Sequence, residues 1–107
     1  MHPLLLLAAL SSQITFDTVQ NGEIYTITPQ VTLTQTCVCQ VQISAIRAGS
    51  GGQSTSVQRN TVTIAANQLT ALSRLRMSIL PQDKVTITVT VTDGQALRLS
   101  QQWGGAN

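Results

Sequence analysis

The chain has 107 residues, enough for one domain with a modest core and too few for two. Only 9% of the residues are charged, so uncharged polar side chains, fifteen Thr among them, must cover the surface. The net charge of +2 comes without a Lys/Arg tract and with one Trp, one Tyr and one Phe. That argues against a nucleic-acid surface, which stacks bases on aromatics beside a basic groove.

Residues 1–10 are apolar, with Leu4–Leu7 followed by Ala8 and Ala9. They fall well short of the roughly 20 residues a membrane-spanning helix needs, so no stable membrane insertion is expected. They fit a short signal peptide, cleaved near Ala8 or Ala9, with residues 11–107 forming a single exported domain. An apolar first strand is the other reading.

From there side chains alternate with a period of two, as a half-buried sheet requires. Ile14 and Phe16 alternate with Thr15 and Asp17, and Asn21-Gly22 marks a turn. Ile24–Thr28 is a short strand that Pro29 should end or place at a sheet edge, because proline cannot donate to a ladder. Val31 and Leu33 alternate with Thr32 and Thr34, and Cys37, Cys39, Val41, Ile43 and Ala45 share one face of the next strand. Gly49–Gly52 reads as a flexible loop. Val57, Val62 and Ile64 lie in a polar strand, and Leu69, Ala71, Ser73, Leu75, Met77 and Ile79 alternate in one long run with Arg74 and Arg76 opposite. That run also has some helical propensity, but the alternation and Pro81 favour a strand. Val85, Ile87, Val89 and Val91 alternate strictly with Thr, Asp93-Gly94 suits a type I′ turn, and Leu97, Leu99 and Trp103 form the return strand. Gly104–Asn107 reads as a frayed tail. The expectation is an all-β, Ig-like sandwich of about seven antiparallel strands, with a small barrel as the alternative.

Cys37 and Cys39 are the distinctive chemistry. Two positions apart on a strand, both point to one face with Cα atoms roughly 6.5 Å apart, near the upper end of disulfide geometry. A local disulfide, a redox-active pair and two buried thiols are all open readings. Two Cys and the single His2 cannot close a zinc site, and no metal or other cofactor is expected. Asp17, Glu23, Asp83 and Asp93 show no paired spacing, and the Ser and Thr residues lack an activating base, so no catalytic residue is assigned. Arg59, Arg74, Arg76 and Arg98 fall on presumed outward faces, with Arg47 and Lys84 near strand ends. Outward cations can steer an acidic or polar partner, and they also protect sheet edges from unwanted pairing.

Several segments carry a resemblance. They are Leu4–Leu10 with Ser11–Phe16, Ile27–Leu33, Cys37–Ile43, Gly51–Ser54, Ala66–Gln68, Leu72–Leu75, Val91–Gln95 and Leu99–Trp103. Over essentially the whole chain these resemble the CsgC family of curli assembly proteins of Gram-negative enteric bacteria. The resemblance implies a periplasmic Ig-like sandwich that binds the curli major subunit transiently, prevents premature amyloid formation and stays out of the fibre. It places the family's C-x-C motif on Cys37 and Cys39, which leaves a thiol–disulfide oxidoreductase as the alternative function. It places the family's cationic strand surface on Arg74 and Arg76, to which parity and charge add Arg59 and Arg98. A docking role on the curli secretion machinery is a third expectation.

Overall fold

The computed structural model describes residues 11–104. The expected signal peptide, 1–10, and the last residues of the tail, 105–107, lie outside the described residues.

Among the described residues, eight antiparallel strands form two four-stranded sheets packed as a sandwich. The first sheet holds β1 (Gln13–Asn21), β2 (Ile24–Thr32), β5 (Thr70–Ala71) and β6 (Leu75–Ser78), with β5 and β6 both pairing to β2. The second has the order β4-β3-β7-β8, from β3 (Cys37–Gly49), β4 (Gly52–Ile64), β7 (Lys84–Thr92) and β8 (Arg98–Gly104). Alternation supplies the core: Ile14, Ile27, Val31, Cys39, Val41, Ile43, Val85, Ile87, Val89 and Val91 are buried between the sheets. Burying a side chain of this kind is worth about 1.5–3 kcal/mol.

Pro29 does not end β2. It is fully buried in the middle of that strand, opposite Phe16 of β1. Its carbonyl accepts from the Leu72 N–H at 2.8 Å, so its ring nitrogen, on the same side in an antiparallel ladder, faces the third strand position without a proton to give. Pairing along that side of β2 is interrupted at Thr28 and Pro29: β6 pairs with Ile24–Ile27 and β5 with Gln30 and Val31. The missing donor thus accounts for the split of the expected long run over 69–79 into two short strands. The side-chain phase slips across the break. Leu72, Leu75, Met77 and Ile79 pack on the core, whereas Leu69 is exposed.

Turns differ in detail from expectation. The first hairpin turns on Gly22-Glu23, with Gly22 at φ 63°, rather than on Asn21-Gly22. Gly49–Gly52 is a tight hairpin whose closing pair is Gly49 with Gly52. The β7–β8 connection is a five-residue loop and not a two-residue turn. Asp93 Oδ1 accepts from the Gln95 and Leu97 N–H groups at 2.7 and 3.1 Å, organising the loop from its first residue. Gly104 belongs to β8, where a side chain would strike the Val85 carbonyl.

The sandwich is closed along one side and open along the other. At the closed side the Trp103 indole on β8 donates to Thr18 Oγ1 on β1 at 2.9 Å and meets Tyr25 of β2 edge-on. At the open side β4 runs the full length of the second sheet, and its residues 52–61 are exposed on both faces.

Candidate functional site

The cysteine pair opens β3. Both sulfurs turn to the core face, Cys39 fully buried and Cys37 nearly so, while Val38 between them is 66% exposed. The two form a disulfide with Cα atoms 5.3 Å apart, so the start of the strand is shortened relative to full extension. Leu33, Thr36, Asp93 and Leu97 line the pocket that Cys37 borders, and no cation lines it among the described residues. A reactive thiolate needs exposure and a nearby positive charge, and this pair has neither. The geometry is that of a buried local crosslink.

The four candidate arginines do not share one surface: Arg74 and Arg76 belong to the region of the first sheet, Arg59 and Arg98 to the second. Arg76 lies on β6 opposite Thr26, on the outer face of the first sheet. Arg74 is not on a strand; it is exposed in the link before β6, which corrects the expected placement of both on one strand. The same outer face carries Asp17, opposite Thr28. Arg59 and Arg98 belong to the second sheet, at its two edges: Arg59 on β4 opposite Gln42, and Arg98 on β8 opposite Thr92. Arg59 Nε donates to Gln42 Oε1 at 2.9 Å, which fixes the guanidinium along the sheet. Between them an open groove of about 500 Å³ runs over Gln40, Gln42, Thr61, Thr90 and Thr92.

The register makes this face regular. Successive rows across the sheet read Thr61–Gln40–Thr92–Arg98, then Arg59–Gln42–Thr90–Ser100, then Val57–Ser44–Thr88–Gln102. Lys84 joins the same face opposite Ala48. No carboxylate occurs in any of the four strands of this sheet. Arg47, by contrast, sits on the inner side and is committed structurally. It pairs with Asp83 at 3.1 Å, the one ion pair among the described residues. Asp83 also accepts from the Leu80 N–H at 2.9 Å and lies against Gly49, where any side chain would collide with it. The Leu80 hydrogen bond, opposed by burial and aided by Arg47, holds the Asp83 carboxyl below its usual range.

Sequence reasoning missed the partners of the arginines: Gln42 as the group that orients Arg59, and Lys84, Thr90 and Thr92 as neighbours on one face. Their outward parity was readable, but the strand order that joins them was not. Among the described residues no three His, Cys, Asp or Glu gather as a metal site, and no helix is long and apolar enough to cross a membrane.

The Tafi-CsgC family profile, described as a thin aggregative fimbriae synthesis protein, matches residues 5–103. The chain belongs to this family. It is 60% identical over 103 residues to the curli assembly protein CsgC of Escherichia coli K12, covering 96% of this chain and 94% of that one. It is 61% identical over 103 residues to the CsgC protein of Salmonella typhimurium LT2, covering 96% and 95%. The solved SeCys form of the E. coli curli protein CsgC superposes with a TM-score of 0.84 at 58% identity, over 87% of this chain and 98% of the other. R. palustris CsgH superposes with a TM-score of 0.65 at 16% identity, over 83% and 89%, a likeness of fold alone.

Proposed function

We propose that this protein is a periplasmic, non-enzymatic chaperone that binds curli subunits transiently and prevents their premature assembly into amyloid. The observation that carries the reading is the outer face of the second sheet. It is a field of Thr, Gln and Ser, with Val38, Ile46 and Val57 exposed among them, that carries Arg59, Lys84 and Arg98 and no carboxylate on its strands. Such a surface attracts a polar, acidic chain and offers many weak hydrogen bonds and no deep apolar pocket, which suits brief contact over stable capture. Arg59 and Arg98 are the leading client-binding residues. Arg76, on the outer face of the first sheet, and Arg74, exposed in the link before β6, are the second candidates.

The relatives named as curli assembly proteins match over nearly their whole length, which supports the same client. The strand order, β1-β2 with β5 and β6 facing β4-β3-β7-β8, supports an Ig-like reading in which β4 takes the place of an added C′ strand. Residues 1–10 serve in this reading as the export signal. The thiol–disulfide alternative is disfavoured by the burial of both sulfurs.

The test is fibre growth by the purified curli major subunit with this protein present well below stoichiometry. The lag before fibres appear should lengthen severalfold. An unchanged lag overturns the proposal.

A further inference from the structure

The free edge of β4 has no part in the face-binding reading above. Native sheets usually blunt an exposed edge with proline, a bulge, several charges or a covering element. β4 uses almost none of these. Its thirteen residues pair with β3 one for one from Gly52–Gly49 to Ile64–Cys37, without a bulge, and Arg59 is their only charge. Residues 52–61 are exposed on both faces, so nothing in the first sheet covers them.

The hydrogen-bond phase of this edge follows from one bond at the far side of the sheet. Asp93 N–H donates to the Leu97 carbonyl at 3.3 Å, so odd-numbered β7 residues bond toward β8. Even-numbered β7 residues then bond β3, odd-numbered β3 residues bond β4, and β4 answers with its even-numbered residues through the registers Ile43–Gln58 and Val41–Asn60. The main-chain groups of Thr55, Val57, Arg59 and Thr61 therefore point away from the sheet, with no strand among the described residues to receive them.

We propose that this edge takes up an extended segment of the client as an added strand. This rests on the reading of the protein as a curli-subunit chaperone and specifies the contact. The occupant's chemistry is set by the strand. Apart from Val57 and Arg59, residues 53–61 carry only Ser, Thr, Gln and Asn side chains, so the incoming segment must itself be rich in polar, hydrogen-bonding residues. Arg59 stands on the edge with no carboxylate in its sheet, so the segment is neutral to acidic. Main-chain pairing supplies the affinity and side-chain pairing the selectivity, as in other strand additions. A segment held this way has one of its two edges taken up, so that edge is closed to a second client chain.

The test is solvent exchange of β4 amides by NMR in the intact protein, with monomeric curli major subunit as probe. At a probe concentration ten times its Kd, the Thr55, Val57, Arg59 and Thr61 amides should slow about tenfold, the limit set by occupancy. The Ser56, Gln58 and Asn60 amides, already bonded to β3, should not change. Val57→Pro removes one outward donor without touching the β3 ladder, and should raise the half-inhibitory concentration about fivefold, the worth of one main-chain hydrogen bond. Val57→Thr, which keeps the donor, should stay near wild type. Unchanged odd-residue amides, or slowing confined to β7, β8 or the first sheet, overturn strand addition, as does full potency in Val57→Pro. The exchange measurement needs no fibre assay, so wild-type inhibition with silent β4 amides refutes the edge alone. Lack of inhibition by wild type refutes the broader function.

Discussion

Cys37 and Cys39 pose the sharpest question about single residues, because the same spacing suits a catalyst and a clasp. Burial decides it. With both sulfurs on the core face, a Cys37→Ala/Cys39→Ala variant should fold and keep its effect on fibre growth, since a two-residue loop removes little entropy from the unfolded chain. The double serine variant should be less stable than the double alanine one by about 1–3 kcal/mol, because its hydroxyls are buried without partners. Urea unfolding of both variants checks the order, and loss of fibre inhibition in the alanine variant would return the sulfurs to the mechanism. Asp83 makes the second prediction. Its carboxyl is held below the usual 3.8 by the Leu80 hydrogen bond first, so the folded state favours its ionised form. Its contribution is therefore complete above the unfolded pKa and lost as pH falls through the lower folded one. Thermal unfolding of Asp83→Asn should fall below wild type at neutral pH, and the gap should close in strong acid. An equal gap at both ends of the pH range contradicts this.

Among the elements, β7 was legible almost completely and β5–β6 was not. Strict Val/Ile alternation with Thr allows one burial pattern, and Val85, Ile87, Val89 and Val91 are all buried. Ile87→Ala, at a fully buried site, should cost about 2–5 kcal/mol in urea unfolding, whereas Thr88→Ala on the outer face should cost well under 1 kcal/mol. The stretch from Leu69 to Ile79 has the same alternation on paper, yet a proline forty residues earlier removes the donor it needs at mid-strand. A local pattern cannot report the pairing partner. The β7–β8 loop failed for a different reason. Asp93-Gly94 has the composition of a two-residue turn, but the Asp93 carboxylate reaches two main-chain N–H groups further on and stabilises the longer loop.

At the scale of the molecule, parity told which arginines face outward and left open which share a surface, because sheet order lies outside any one strand's pattern. The order puts Arg59 and Arg98 on one face and Arg74 and Arg76 in the region of the other. Arg59→Glu/Arg98→Glu should therefore weaken inhibition of fibre growth about tenfold and reduce its sensitivity to salt, more than Arg74→Glu/Arg76→Glu does. Equal or reversed losses would move the client to the first sheet.

The contact of Trp103 with Thr18 and Tyr25 gives the molecule a built-in gauge. The chain has one indole, and it spans the seam where the two layers touch. Its emission, along with energy passed to it from the lone tyrosine, will register the parting of the layers themselves. Fraying of the remote hairpin tip at Ser50 and Gly51 will leave the signal silent. Fluorescence and amide exchange thus watch opposite margins of the same small body, and any lag between them would time the order in which it comes apart.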